Sequence, residues 1–204
     1  MKLVEKYSHL NGYEWIKHHY PLYWQEIIDV IQSVDAKNAK TKISKEKSMK
    51  GRRLYNPREM NEGFKNEFEK RGWHSPRKED FRYIRDQKIL REIVDLDIEE
   101  QDEIIKNEKI QSLTGSVASD FIKDRVSIEV QFGKYAFVQY DIYVKFAPQF
   151  MRNKIDLGIE IVPMKSLQKE MSSGPTNYER NLHEIFRQGR TSPPIPIILI
   201  GIDA

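Results

Sequence analysis

Asp120, Glu129 and Gln131 lie within one short run, "DFIKDRVSIEVQF", residues 120–132. Its second half alternates strictly, with Val126, Ile128, Val130 and Phe132 at one parity and Ser127, Glu129 and Gln131 at the other. Such a period of two builds a strand with an apolar face and a polar face. A buried strand face has no use for a carboxylate, so Glu129 and Gln131 are expected to open together onto a sheet edge or a cleft. Asp120, nine residues before Glu129, can return beside it across a turn or from a neighbouring strand. Two converging carboxylates suit Mg²⁺, a hard cation that takes oxygen ligands, commonly one or two carboxylates completed by waters and substrate phosphate. The backbone carbonyl of Val130, between Glu129 and Gln131, can add a further oxygen. Taken alone, the pair reads as a surface carboxylate beside an edge-strand residue.

The elements that must position these residues are legible as patterns. Helices are expected at "PLYWQEIIDVIQSV", residues 21–34, where Leu22, Trp24, Ile27, Ile28 and Ile31 repeat near the helical period after Pro21, and at "NPREMNEGFKNEFEKRGW", residues 56–73. Asn56 suits the N-cap of the second, Met60, Phe64 and Phe68 its apolar stripe, and Gly72 its end. An acidic stretch suits a third helix through Ile98, Ile104 and Ile105, so the first half reads as helical. The second half reads as strand 125–132, helix "AFVQYDIYVKFAPQF", strand "KIDLGIEIVPM", helix "NYERNLHEIFRQGR" and strand "IPIILIGI". That alternation is the signature of an α/β layer around a mixed or parallel sheet. The last run is apolar enough to be covered on both faces.

Composition bounds the rest. The 204 residues suit one domain, or a domain with a small subdomain, and can bury a substantial core. Without cysteine the chain has neither disulfides nor thiolate metal ligands, and a reducing, cytoplasmic home is expected. No apolar run approaches the ~20 residues that span a bilayer, and the first residues do not resemble a signal peptide. The net charge is only +3, yet residues 37–53 carry eight basic residues against the single acid Glu46, while residues 92–108 are mostly acidic. The basic segment can lie along a polyanion, where each neutralised phosphate releases counterions; it also reads as a solvated surface loop. The five histidines show no spacing that demands a metal. Tyr135, Phe137, Tyr140 and Tyr143 read as core and interface packing.

Asp followed nine positions later by Glu-x-Gln is also the pattern through which this chain resembles the BglII/BstYI-type type II restriction endonucleases, a branch of the PD-(D/E)xK nucleases. The resemblance extends through most of the chain and is strongest to the BstYI branch: "YSHLNG" (7–12), "SKEKSMKG" (44–51), "FIKDRVSIEVQFGKYAFVQYD" (121–141), "EMSSG" (170–174), "RQGR" (187–190) and "LIGI" (199–202). It implies a restriction-endonuclease-like α/β core, a central mixed β-sheet flanked by helices, over residues 1–204. It further implies Mg²⁺ held by Asp120, Glu129 and the Val130 carbonyl, with Asp120, Glu129 and Gln131 as the catalytic set. Gln131 stands where most of the wider group have lysine. A neutral amide supplies neither charge nor a titratable amine, so it is expected to orient the attacking water. Lys134, Ser172 and Ser173 match positions that face base edges in the major groove.

The implied partner is double-stranded DNA carrying a palindromic GATC-containing site, RGATCY. Cleavage before the outer purine would leave 5′ GATC overhangs. A palindrome implies a homodimer, and a host using such an enzyme needs a protecting methyltransferase that is not a stable subunit. Membranes are not expected partners. Two rivals stand beside this reading: a GATC-binding protein that has lost cleavage, and a structure-selective repair nuclease on the same core.

Overall fold

The computed structural model describes every residue except Ser173. The chain divides into two compact units, Met1–Ser75 with Ser119–Ala204, and Pro76–Ala118.

The first unit opens with strand β1 (Lys2–His9), then helices α1 (Gly12–His19) and α2 (Pro21–Ser33). The strand interrupts a half that reads as helical from sequence. It is the outer strand of its sheet and half of it is exposed, so lysine and glutamate can replace the apolar alternation that would have announced it. In α2, Pro21 starts the helix and Trp24, Ile27, Val30 and Ile31 are buried. Leu22, which the helical period groups with them, points to solvent at 75% exposure. The basic segment then forms short 3₁₀ turns and a two-stranded ribbon of β2 (Lys42–Ile43) and β3 (Arg53–Leu54). Helix α3 (Pro57–Glu69) follows, its Asn56 side chain accepting from the Arg58 amide and Met60, Phe64 and Phe68 fully buried.

The second unit pairs β4 (Glu79–Ile84) with β5 (Ser112–Val117) in an antiparallel ladder. Between them lie α4 (Gln87–Ile93) and α5 (Ile98–Asn107), the latter opened by an Asp97/Glu100 capping box. The acidic run therefore spans the end of one helix and the whole of the next. Ile89, Ile93 and Ile105 form this unit's own small core.

The chain re-enters the first unit with β6 (Phe121–Lys123) and β7 (Val126–Val130), an antiparallel hairpin turned at Asp124, whose φ of 49° is left-handed. One long helix follows: α6 (Ala136–Tyr140), a π-helical turn Asp141–Phe146, and α7 (Ala147–Met151). Pro148 has no amide to donate to the turn before it, a local reason for irregularity. The remaining elements are β8 (Leu157–Pro163), α8 (Lys165–Gln168), α9 (Tyr178–Gln188) and β9 (Ile197–Asp203).

The sheet order is β1-β9-β8-β7-β6. β7, β8 and β9 run parallel and both outer strands antiparallel, so the sheet is mixed. One face carries Val126, Ile128, Val130, Ile159, Ile161, Ile198 and Ile200 against α1, α2 and α3. The other meets the long helix and α9 through Val138, Ile142, Phe146, Ile185 and Leu199. Phe146 seats on Gly158, where any Cβ would fall 2.5 Å from the ring. Among the described residues, no helix is long and apolar enough to cross a membrane.

Candidate active site

Pairing with β6 covers β7 only from Val126 to Ile128. Beyond that point β6 offers the strand no backbone partner, and the Asp120 side chain takes over: its Oδ2 accepts from the Val130 amide at 3.0 Å. The Asp120 amide in turn donates to Glu129 Oε1 at 3.3 Å. Ser75 Oγ fixes the Asp120 carbonyl at 2.7 Å. Two carboxylates nine residues apart are thus cross-tied by the hairpin, with Asp120 exposed at the rim. Glu129 differs from expectation. β7 lies inside the sheet, and its Glu129 side chain is 1% exposed. The open edge belongs to Asp120 because β6 is only three residues long.

Behind Glu129 stands a polar cluster contributed by the helix and by β8. Lys145 Nζ lies 2.8 Å from Glu129 Oε2 and 2.7 Å from Asp141 Oδ1. Asp141 Oδ2 accepts from Gln131 Nε2 at 2.8 Å, and Gln131 Oε1 accepts from the Gly133 amide at 2.8 Å. Glu160 sits at the register position of Glu129 on the adjacent parallel strand, fully buried, and among the described residues neither of its carboxylate oxygens has a hydrogen-bond partner. Burial first, then the neighbouring Asp120 and Asp141 charges, push the Glu129 carboxyl well above its ordinary range, and Lys145 offsets only part of this. Burial likewise raises Glu160, reinforced by Asp141 and Glu129. Burial opposes the Lys145 charge, yet the Glu129 and Asp141 carboxylates outweigh it and hold the ammonium above its usual value. Three buried carboxylates around one ammonium leave the floor of the site short of positive charge.

Asp120, Val130, Gln131 and Gly133 line an open cleft of about 490 Å³, together with Arg58 and Lys65 of α3. Arg58, Asn61, Glu62 and Lys65 follow the helical period on the exposed flank that adjoins the Met60, Phe64 and Phe68 stripe. Sequence reasoning used the apolar stripe and passed over the polar one. It also passed over Asp141 and Lys145, an i,i+4 pair of charges in a largely apolar helix, and Glu160, whose Ile-Glu-Ile repeats the Ile-Glu-Val of residues 128–130. Lys134 is exposed just past the cleft, and its backbone bridges to Pro175. The Thr176 amide donates to the Gly133 carbonyl at 3.0 Å. Pro175 and Thr176, in the loop before α9, are thereby pinned beside the motif strand. The Ser172 hydroxyl accepts from Lys42 Nζ at 3.0 Å, and Lys40 pairs with Glu170, so the basic ribbon is tethered to the same loop. Ser173 lies outside the described residues. Of the four aromatic residues read as packing, Tyr143 packs against the core and bonds Ser192 through its hydroxyl, Tyr135 lies under the Arg180 guanidinium, and Phe137 and Tyr140 are exposed. The buried residues of the helix are Val138, Ile142 and Phe146.

The donor set fits a hard divalent cation in kind: oxygen atoms only, with an exposed carboxylate beside a buried one. Among the described residues no group of three or more acidic, histidine or cysteine side chains is arranged as a ready metal cage. Mg²⁺ does not require one, since one or two carboxylates suffice when water and phosphate complete its shell.

The family model for restriction endonuclease BglII/BglIII matches residues 4–202 of this chain. Among solved structures, the chain is similar to restriction endonuclease BglII complexed with a DNA 16-mer, with a TM-score of 0.67 at 17% identity over 98% of this chain and 76% of that one. It is also similar to free BglII, with a TM-score of 0.57 at 16% identity over 100% of this chain and 80% of that one. Comparison with curated protein sequences gives no match. At such identities the structural likeness speaks for the fold, a mixed sheet flanked by helices. With the family match running nearly end to end, this chain belongs to the BglII/BglIII restriction endonucleases, type II site-specific deoxyribonucleases.

Proposed function

We propose that residues 1–204 act as one catalytic and DNA-binding domain that cuts double-stranded DNA at a palindromic GATC-containing site, RGATCY. Cleavage falls before the outer purine and leaves 5′ GATC overhangs with 5′ phosphates. The observation that carries this reading is the cross-tie of the buried Glu129 to Asp120, which lines a cleft together with Arg58 and Lys65. Asp120, Glu129 and the Val130 carbonyl are the groups that would hold Mg²⁺, which supplies Lewis acidity at the scissile phosphate and lowers the pKa of water. The reaction is in-line hydrolysis: a water oxygen bonds to phosphorus as the bond to the 3′ oxygen breaks. Gln131 is held by Gly133 and Asp141, with one amide hydrogen and one lone pair left over to orient that water. Arg58 and Lys65 have the charge to steady the phosphate backbone.

Lys134, Ser172 and Ser173 read the bases. Lysine donates to guanine O6 and N7, and a serine hydroxyl tolerates more than one partner, which suits a degenerate outer pair. The basic ribbon tethered at Ser172 lies along the phosphates. A palindrome presents the same half-site twice, so the enzyme works as a two-fold homodimer. The long helix offers a surface for it: Phe137, Tyr140, Val144 and Met151 follow one helical face at 40 to 75% exposure. A host carrying this activity protects its own sites with a methyltransferase.

Digestion of a plasmid of known sequence with Mg²⁺, followed by sequencing of the fragment ends, tests the reading. Ends at a single GATC palindrome support it and reveal the outer base. Binding to such duplexes without cleavage under several divalent metals would replace it with a cleavage-dead binder, and cutting confined to branched or damaged DNA with a repair nuclease.

A further inference from the structure

Gln131 leaves the motif strand without a cation of its own, and the cation bonded to Glu129 comes instead from the following helix. Asp141 and Lys145 are four residues apart in the π-helical turn. In that turn the pair reaches two motif residues at once, because one Asp141 oxygen binds Lys145 and the other binds Gln131. The result is an unbroken chain of polar contacts: Asp120 amide, Glu129, Lys145, Asp141, Gln131, Gly133 amide. π-helical turns are rare and concentrate at functional sites. Here the turn is anchored by Phe146 against Gly158, where only glycine allows the helix so close to the sheet. Lys145 is 14% exposed on its side chain and does not line the cleft, so it acts through Glu129 and not on a bound phosphate.

We propose that Asp141 and Lys145 are positioning residues for cleavage, a clamp that fixes Glu129 and Gln131 in one mutual orientation from behind the strand. The proposal rests on the nuclease reading of the Asp120/Glu129 site. A pair that served only to hold the helix on the sheet would matter for folding and leave the cleavage step of the folded protein alone. A clamp shows in the chemical step and in Gln131 itself.

The test uses the full chain with Lys145→Met and Asp141→Asn, alongside Asp120→Ala. Three quantities are measured: the single-turnover cleavage constant at saturating protein, the Kd for the same duplex without divalent metal, and the ¹⁵N side-chain amide resonances of Gln131, assigned by their loss in Gln131→Ala. Both clamp variants should cleave about 10 to 100-fold more slowly, the usual cost of losing a partner that orients a ligand, with Kd unchanged. Asp141→Asn should also shift the Gln131 amide signals. Parental single-turnover rates in the folded clamp variants, losses traceable entirely to Kd, or unmoved Gln131 signals in Asp141→Asn would each overturn the clamp. If Lys145→Met does not fold, Asp141→Asn, which removes charge without volume, decides alone. Asp120→Ala separates the two levels: normal cleavage there defeats the nuclease site itself, whereas an inactive Asp120→Ala beside fully active clamp variants defeats only the clamp.

Discussion

At the scale of single residues, Asp120 and Glu129 share a motif but not an environment. Asp120 is exposed and caps a strand end, while Glu129 is buried against a lysine. Both Asp120→Ala and Glu129→Ala should abolish cleavage. The stability cost should be greater at Glu129, because its truncation leaves a cavity where the side chain is 1% exposed, whereas Asp120 stands at the exposed rim; Lys145 keeps Asp141 as its partner. Urea unfolding of the two variants checks the order. Gly133 matters through close approach and not through φ. A Cβ there would fall 2.5 Å from Gln131 Oε1 and 3.0 Å from Phe137. Gly133→Ala should turn the Gln131 amide away and slow cleavage about tenfold or more at unchanged DNA affinity, read by single-turnover assay and gel shift.

At the scale of elements, the short β6 and the long helix between β7 and β8 do most to shape the site. β6 ends early enough to leave Val130 to Asp120, and the helix brings Asp141 and Lys145 to the strand's polar face. The seat of that helix is Gly158. Gly158→Ala places a methyl group within 2.5 to 2.9 Å of three Phe146 ring atoms. Such overpacking should cost about 1–3 kcal/mol, measured as a lower urea midpoint. Because Phe146 adjoins the π-helical turn, cleavage should fall as well.

At the scale of the whole molecule, the expected behaviour is two-fold association and salt-dependent binding. Replacing Val144 and Met151 together by aspartate puts two charges on the apolar face of the helix. The protein should then sediment as a monomer, remain folded, and lose cleavage of both strands at a palindrome; a dimer that persists would remove that face as the interface. The ribbon carries Lys45, Lys47 and Lys50 between its strands. Neutralising all three as glutamine should flatten the slope of log affinity against log salt by about 0.9 for each phosphate the segment no longer neutralises. An unchanged slope would make the segment a solvated loop.

Much of this protein was already determined by local pattern. The α2 and α3 helices, the three parallel strands and the helices between them are periodic runs, among them stretches of 7 to 13 residues, and periodicity is a local property that needs no partner to be read. The pairing of Asp120 with Glu129 was legible for the same reason, since both belong to one hairpin. β1 was not legible, because an outer strand takes its hydrogen bonds from β9, at the far end of the chain, and needs little apolar alternation of its own. Nor could sequence place Glu129 in the interior, or bring Asp141, Lys145 and Glu160 around it. Those residues come from a helix and a neighbouring strand, and charge in an apolar run has no stated destination until the sheet register and the helix seat at Gly158 bring the pieces together.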